Sequence, residues 1–157
     1  MKIGFIGGSI AISETFTYNL IKGITNQNKN TVFYGAEKPF YSDDINYEII
    51  PFEYSPRGFY AKLLHNLGQR GRNIKWQKQQ KTAQKKLCYA ISDRDILFLD
   101  YGTTAVKLLP LLLKVNKPFI VHFHGMDITS TLKDLYYLEQ LQYVFRDARY
   151  LIVASHH

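Results

Sequence analysis

The feature that most constrains the fold is a repeated alternation between short runs of β-forming residues and longer segments with apolar residues at helical spacing. Strand-like runs cover residues 2–6, 31–34, 47–52, 95–99, 118–123 and 150–154. Helical patterns cover residues 14–25, 60–67, 73–91, 103–115 and 132–145. Repeated strand, helix, strand units form parallel sheets that helices cover on both faces. The sequence therefore predicts an α/β Rossmann-like three-layer sandwich with a mostly parallel sheet of about six or seven strands.

Length and composition predict one domain over residues 1–157, long enough to bury a substantial core. A hydrophobic content of 46% excludes a disordered chain. The single cysteine, Cys88, cannot form an internal disulfide, which fits a reducing compartment. The first apolar run is broken at Gly7 and Gly8, too early for a secretory signal, and no run reaches the roughly 18 to 20 residues of a transmembrane helix. We expect a cytoplasmic protein that is soluble or peripheral to a membrane.

The stretch PFIVHFHGMDIT, residues 118–129, has the composition of a site at the end of a strand. Strand alternation places His122 and His124 on one face, before Gly125 and the polar Asp127. Ligands of parallel α/β sheets bind just beyond the carboxyl ends of the strands, where these side chains would emerge. The alternative is that the histidines are hydrogen-bonded core residues without a ligand.

Three predicted strand ends meet at one edge of this sheet: Gly7-Gly8-Ser9, residues 100–104, and residues 122–127. The first offers backbone N–H groups near a helix N-terminus, which suit a phosphate or another anion. Its glycines do not follow the G-x-G-x-x-G spacing, so hydride chemistry on a nicotinamide is not expected. Asp100 is interpreted as the cap of the helix that begins near Thr103, and the alternative is that it binds sugar hydroxyls.

A basic amphipathic helical segment is predicted over residues 57–91. Residues 57–86 contain nine Lys or Arg and no Asp or Glu, so the rest of the chain has a net charge of −2 within a total of +7. Such a segment can bind an anionic membrane surface, each basic residue contributing about 1 kcal/mol. A solvated face without a partner is the alternative, and no nucleic-acid partner is expected because the charge lies away from the strand ends. The residues assigned to membrane binding are Arg70, Arg72, Lys75, Trp76, Lys78, Lys81 and Lys85.

Four pieces of the sequence together resemble a known family. They are SETFTYNLIKGI, DYGTTAVKLL, VHFHGMDI and YLIVAS, and they occur in the family's order over nearly the whole chain. They are similar to the amino-terminal domain of family 4 glycosyltransferases of the GT-B fold, especially those of bacterial surface polysaccharide assembly. The resemblance implies a retaining glycosyltransferase whose amino-terminal domain binds a carbohydrate or lipid-linked acceptor on the inner face of the cytoplasmic membrane.

The resemblance also implies that a carboxy-terminal donor-binding domain is missing after His157, since that half carries the family's E-x7-E motif. This domain would then bind no cofactor itself, the nucleotide-sugar donor would belong to the full enzyme, and the chain alone would not complete a turnover.

The resemblance assigns roles to individual residues. His124 matches the family histidine that lies against the donor sugar, and it would orient that sugar and shield developing charge. The substrate-binding residues implied by the family motifs, with Asp127 added from its position, are Gly7, Gly8, Ser9, Ser13, Glu14, Tyr101, Gly102 and Asp127. The backbone or Asp127 is expected to hold the ring nitrogen of His124 that does not face the sugar.

Two other classes of function compete with glycosyl transfer. The spacing His122-x-His124-x-x-Asp127 could begin a metal site, but His65, His156 and His157 are not placed as further ligands, so no metal is expected. The stronger alternative is a non-catalytic sugar-binding or regulatory α/β domain, which the absent donor half would favour.

Overall fold

The structure is a computed structural model that describes residues 1–8, 10, 15–52 and 70–153, with the backbone alone over residues 70–79. The described strands are β1 (Ile3–Gly7), β2 (Thr31–Gly35), β3 (Tyr47–Ile49), β4 (Ile96–Asp100), β5 (Phe119–Phe123) and β6 (Tyr150–Val153). The described helices are α1 (Thr15–Gln27), α2 (Arg70–Ile91), α3 (Gly102–Val115) and α4 (Leu135–Asp147), with a 3-10 turn at Thr131–Lys133.

The described strands form one sheet of six in the order β3-β2-β1-β4-β5-β6, and every neighbouring pair is parallel. The Rossmann-like α/β prediction is therefore confirmed. Strand order reverses between β1 and β4, which is where sheets of this kind form a crevice at their carboxyl edge. Strands β4 and β5 are direct neighbours, as the sequence-based site requires.

Two apolar clusters cover the two faces of the sheet because successive side chains of each strand point in opposite directions. On one face, Phe5, Phe33 and Phe98 pack with Ile21 of α1. On the other face, side chains such as Ile6, Tyr34 and Leu99 pack with apolar residues of α2, α3 and α4. The three-layer arrangement thus follows from the alternation in the strands.

Most element boundaries agree with the predictions, and two differences have a local cause. Strand β3 ends at Ile49 rather than at residue 52, since Pro51 has no N–H to give to a strand partner. Helix α4 starts at Leu135 rather than at residue 132, because Asp134 accepts hydrogen bonds from the N–H groups of Tyr136 and Tyr137. The helix predicted over residues 60–67 and the predicted cap Ser13 lie outside the described residues.

Candidate active site

The candidate site lies at the carboxyl end of β4 and β5, on the face that α1 covers. Asp100 shares strand parity with Phe98, and His122 shares it with Ile120, which packs against the α1-side core. Strand register places Asp100 opposite His122. His124 follows two residues later, just past the strand end. The same alternation that buries phenylalanine deeper in the sheet therefore gathers three polar side chains at its edge.

Asp100 is the centre of this group. Its Oδ1 accepts a hydrogen bond from His122 Nδ1 at 3.2 Å and from His124 Nε2 at 2.8 Å. Its Oδ2 accepts one from the Thr17 hydroxyl of α1 at 2.9 Å. Asp100 is only 2% exposed. We call Asp100, His122, His124 and Thr17 the Asp100 cluster.

The ionisation of Asp100 follows from these contacts. Burial alone would raise the pKa of Asp100, but the hydrogen bonds from His122, His124 and Thr17 outweigh it and hold the pKa below its ordinary value. The carboxylate is therefore charged at neutral pH, and it can accept hydrogen bonds but cannot donate them.

Aromatic rings surround His124. Its ring centroid lies 4.0 Å from that of Tyr101, 4.4 Å from that of His122 and 4.9 Å from that of Phe16. Tyr101 has a backbone φ of 73°, which is unusual for a residue other than glycine. Backbone strain of this kind tends to occur at functional sites. The side chains of His122 and His124 are 12% and 13% exposed, so both rings are similarly covered.

Asp127 has a different role from Asp100, and it corrects two sequence-based expectations. Its Oδ2 accepts hydrogen bonds from the N–H groups of Gly102 and His124, both at 3.0 Å, and its Oδ1 accepts one from Thr103 at 3.2 Å. Asp127, not Asp100, therefore caps the start of α3. Asp127 holds the backbone of His124, whereas Asp100 holds its ring.

Asp127 is completely buried, and its three hydrogen bonds give this carboxylate a structural role, while the substrate contact expected from its position stays a prediction. Gly102 contributes its N–H to the same cap, and its lack of a side chain makes room for two neighbouring rings. A Cβ at Gly102 would overlap the ring of Phe123 and lie 2.6 Å from the Tyr137 hydroxyl. Burial and the Asp127 carboxylate raise the pKa of Tyr137, so its hydroxyl stays protonated.

The first loop approaches the Asp100 cluster, as predicted. A Cβ at Gly7 would lie 3.7 Å from the Cβ of Asp100. The Gly8 carbonyl accepts a hydrogen bond from the N–H of Ala36, which ties this loop to the end of β2. Ser9, Ser13 and Glu14 lie outside the described residues, so their assigned contacts stay predictions.

Sequence reasoning missed Thr17 and Phe16, and it gave Asp100 the wrong partner. The available signal was SETFT itself, because a helix that starts near residue 14 turns residues 16 and 17 toward the strand ends. A second signal was the strand parity that Asp100 shares with Phe98.

The Asp100 cluster also has the composition of a possible metal site. Asp100, His122 and His124 each offer one ligand atom, and these atoms lie within 4.8 Å of one another. Two imidazoles and one carboxylate are common ligands of zinc and other transition metals. The sequence pattern that could begin a metal site had Asp127 as its third residue, whereas the geometry places Asp100 beside the two histidines.

The basic segment forms helix α2 in the described part of the chain. Over its described side chains, Ala83, Leu87 and Ile91 are buried, whereas Lys81 and Lys85 are exposed. The side chains of Arg70, Arg72, Lys75, Trp76 and Lys78 lie outside the described set. Among the described residues, no helix combines the length and the apolar character needed to cross a bilayer.

Comparison with solved structures supports the fold. Over 96% of its length, the chain aligns with 37% of Anabaena HepE, crystallised in complex with UDP and glucose, at a TM-score of 0.64 and 13% sequence identity. It also aligns with 67% of a wide-type short-chain dehydrogenase/reductase from Veillonella parvula in complex with NADP, over 97% of its own length at 12% identity. The TM-score of that second alignment is 0.47, so it carries no weight.

No family model matches the chain, and no curated protein matches it. The chain spans little more than a third of HepE, and at this identity the likeness establishes a shared fold only.

Proposed function

We propose that this chain is the acceptor-side domain of a retaining glycosyltransferase, which moves a sugar from a nucleotide-sugar donor to a lipid-linked or polysaccharide acceptor. The observation that carries the proposal is the Asp100 cluster at the edge where strand order reverses. Supporting it is the shared fold with a structure that contains UDP and glucose, which are the parts of a nucleotide sugar. Family 4 membership and retention come from the sequence resemblance alone.

The electrostatics of the cluster suit glycosyl transfer. Transfer through an oxocarbenium-like state places positive charge on the sugar ring while the diphosphate departs. A buried carboxylate behind two imidazoles supplies a fixed negative charge, which is more effective in a water-poor site than in water. His124 would contact the sugar, and Asp100 would act through it. The chemistry needs no general base at His124.

A second domain completes the proposed enzyme. Most of HepE has no counterpart in this chain, because the alignment covers 37% of it. We therefore place the nucleotide sugar on a separate donor-binding half that closes over the carboxyl edge of the sheet. Tyr101, Phe16 and the first loop would then form the acceptor-side wall of the cleft.

The proposed membrane contact uses α2. Its exposed lysines, Lys81 and Lys85, are one helical turn apart and face away from the buried stripe. A lipid-linked acceptor would be met at such a surface. Changing both lysines to glutamine should weaken binding to vesicles containing anionic lipid by about 30-fold, at about 1 kcal/mol for each charge.

The matched control for membrane binding changes two exposed lysines outside α2, Lys29 and Lys38, to glutamine. This variant has the same net charge as the first. Equal loss of vesicle binding in both variants would mean that overall charge, and not α2, determines the interaction.

The activity test uses the protein in which this chain is joined to a donor-binding half, a set of radiolabelled UDP-sugars, and a bacterial lipid extract as acceptor. His124→Ala should lower turnover by about 10²-fold or more, while the thermal unfolding temperature changes little. Gly125→Ala is the neighbouring control, since a Cβ there meets nothing within 4 Å. Parental turnover in His124→Ala would overturn the proposal.

Two other outcomes would point to the competing functions. Zinc ions that raise the unfolding temperature of the parent, but not of His122→Ala or His124→Ala, would indicate a metal centre. Acceptor binding without transfer for any donor would indicate a non-catalytic sugar-binding domain.

A further inference from the structure

One oxygen of Asp100, Oδ1, accepts a hydrogen bond from each of two histidines, and the two histidines use different ring nitrogens. His122 uses Nδ1 and His124 uses Nε2, although the two residues are only two positions apart on one face of β5 and its extension. Thr17 of α1 donates a hydrogen bond to the other oxygen of Asp100. Asp100 is almost completely buried, so its carboxylate has little freedom to rotate.

A carboxylate can only accept hydrogen bonds, so each neutral imidazole must carry its proton on the nitrogen that faces Asp100. We propose that Asp100 is a positioning residue that sets opposite tautomers on the two histidines, Nδ1–H on His122 and Nε2–H on His124. The opposite nitrogens, His122 Nε2 and His124 Nδ1, are then unprotonated acceptors. This inference rests on the proposed function only for its consequence toward a sugar.

The consequence is a selection by hydrogen-bond polarity. An unprotonated Nδ1 on His124 accepts a hydrogen bond from a hydroxyl group, whereas it repels the lone pairs of a phosphate or a carbonyl oxygen. A hydroxyl group, such as that of a sugar, therefore fits this nitrogen, whereas a phosphate or carbonyl oxygen does not. Asp100 touches no substrate in this arrangement and acts through the imidazole that it orients.

His122 provides the sharper signature of the two. Free neutral histidine favours the Nε2–H tautomer, which is also the form assigned to His124. The Nδ1–H form at His122 is the less common tautomer, and the contact with Asp100 Oδ1 is what requires it. A residue that merely filled space at position 100 would leave His122 in its usual form.

The tautomers are measurable in this chain without substrate. With ¹⁵N-labelled histidine at about pH 8, long-range ¹H–¹⁵N correlation spectra separate protonated from unprotonated ring nitrogens. We expect Nδ1–H at His122 and Nε2–H at His124. An Nε2–H form of His122 in the parent would overturn the proposal without the use of any variant.

Three variants test the cause. Asp100→Ala removes the acceptor and should return His122 to the Nε2–H form. Asp100→Asn should keep both tautomers, because its carbonyl oxygen can face the histidines while its amide donates to the Thr17 hydroxyl. Thr17→Val, which removes only the third contact, should also keep both. Retention of Nδ1–H at His122 in Asp100→Ala would contradict the proposal.

The spectra separate this inference from the proposed function. Correct tautomers in a protein that transfers no sugar would refute glycosyl transfer and leave the positioning role intact. Sugar transfer by a protein with the wrong tautomers would refute the positioning role of Asp100 and leave glycosyl transfer intact.

Discussion

The two buried aspartates at the carboxyl edge of the sheet are satisfied by opposite kinds of partner. Asp127 accepts three backbone N–H groups, two of them at the start of α3. Asp100 accepts hydrogen bonds from side chains only, namely two imidazoles and one hydroxyl. Backbone donors cannot change their role, whereas imidazoles and hydroxyls can. Burial alone therefore does not distinguish the functions of the two carboxylates. The chemistry of their partners separates a structural carboxylate, Asp127, from one that can take part in a binding or active site, Asp100.

The largest effect on stability is expected from Asp127→Asn. Both oxygens of Asp127 accept N–H groups, so an amide NH₂ must face at least one donor and leave it without an acceptor. Buried unpaired groups cost about 1–3 kcal/mol each, so we expect a loss of about 3 kcal/mol in the free energy of unfolding, measured by urea denaturation.

The control for that substitution is Asp134→Asn at the start of α4. There a single oxygen, Oδ1, accepts from the N–H groups of Tyr136 and Tyr137, so an asparagine carbonyl can replace it. Asparagine caps helices about as well as aspartate, and the change should cost little. Equal losses at Asp127 and Asp134 would contradict the structural role assigned to the buried cap.

A smaller loss is expected from Gly102→Ala, which crowds the same cap. The added Cβ meets the Phe123 ring and the Tyr137 hydroxyl well inside van der Waals contact. Overpacking of this kind costs about 1–3 kcal/mol, detectable as a lower unfolding temperature. Gly125→Ala, two residues before Asp127, should be neutral because its Cβ enters open space. A neutral Gly102→Ala would mean that the rings move aside without cost.

The smallest expected effect is the acid dependence that Asp100 adds. Hydrogen bonds from the histidines lower the pKa of Asp100 in the folded state despite its burial, so its stabilising contribution is present above its unfolded pKa of about 3.9. That contribution is lost as the pH falls through the folded pKa. The free energy of unfolding of Asp100→Asn should therefore fall less steeply than that of the parent below about pH 4.

Salt distinguishes this acid effect from that of surface pairs. The Lys22–Asp44 pair is exposed and also lowers the pKa of its carboxyl, but about 0.5 M NaCl should screen its contribution. The difference between the parent and Asp100→Asn should persist in salt, since Asp100 is buried. Disappearance of the difference would mean that the Asp100 contacts do not form in solution.

The sheet and its layers were predictable because hydrophobic alternation is a local signal. The ends of the helices and strands were less predictable, as Asp134 illustrates. The Asp134 cap determines that α4 starts at Leu135, whereas the apolar pattern alone predicts a start at residue 132. The gathering of three strand ends was also predictable, as parallel neighbours share one carboxyl edge.

The partners of the two aspartates were not predictable in the same way. Asp127 is distant in sequence from the helix that it caps, and Asp100 lies two residues before that helix without capping it. Local rules assign the cap to the aspartate that is nearest in sequence, which is Asp100. The fold instead brings Asp127, from the turn after β5, into contact with the first N–H groups of α3. The cluster thus depends on tertiary contacts that sequence spacing does not contain.

The division between the two aspartates is tested most directly by measuring turnover and the free energy of unfolding together for Asp100→Asn and Asp127→Asn in the protein that includes a donor-binding half. We predict that Asp100→Asn loses at pH 7 only the small contribution of the ionised carboxylate to the free energy of unfolding, but transfers sugar at least about 10-fold more slowly, because the fixed negative charge behind His124 is gone. Asp127→Asn should lose stability, and its remaining folded fraction should keep much of its turnover. Parental turnover in Asp100→Asn, or parental stability in Asp127→Asn, would contradict the account.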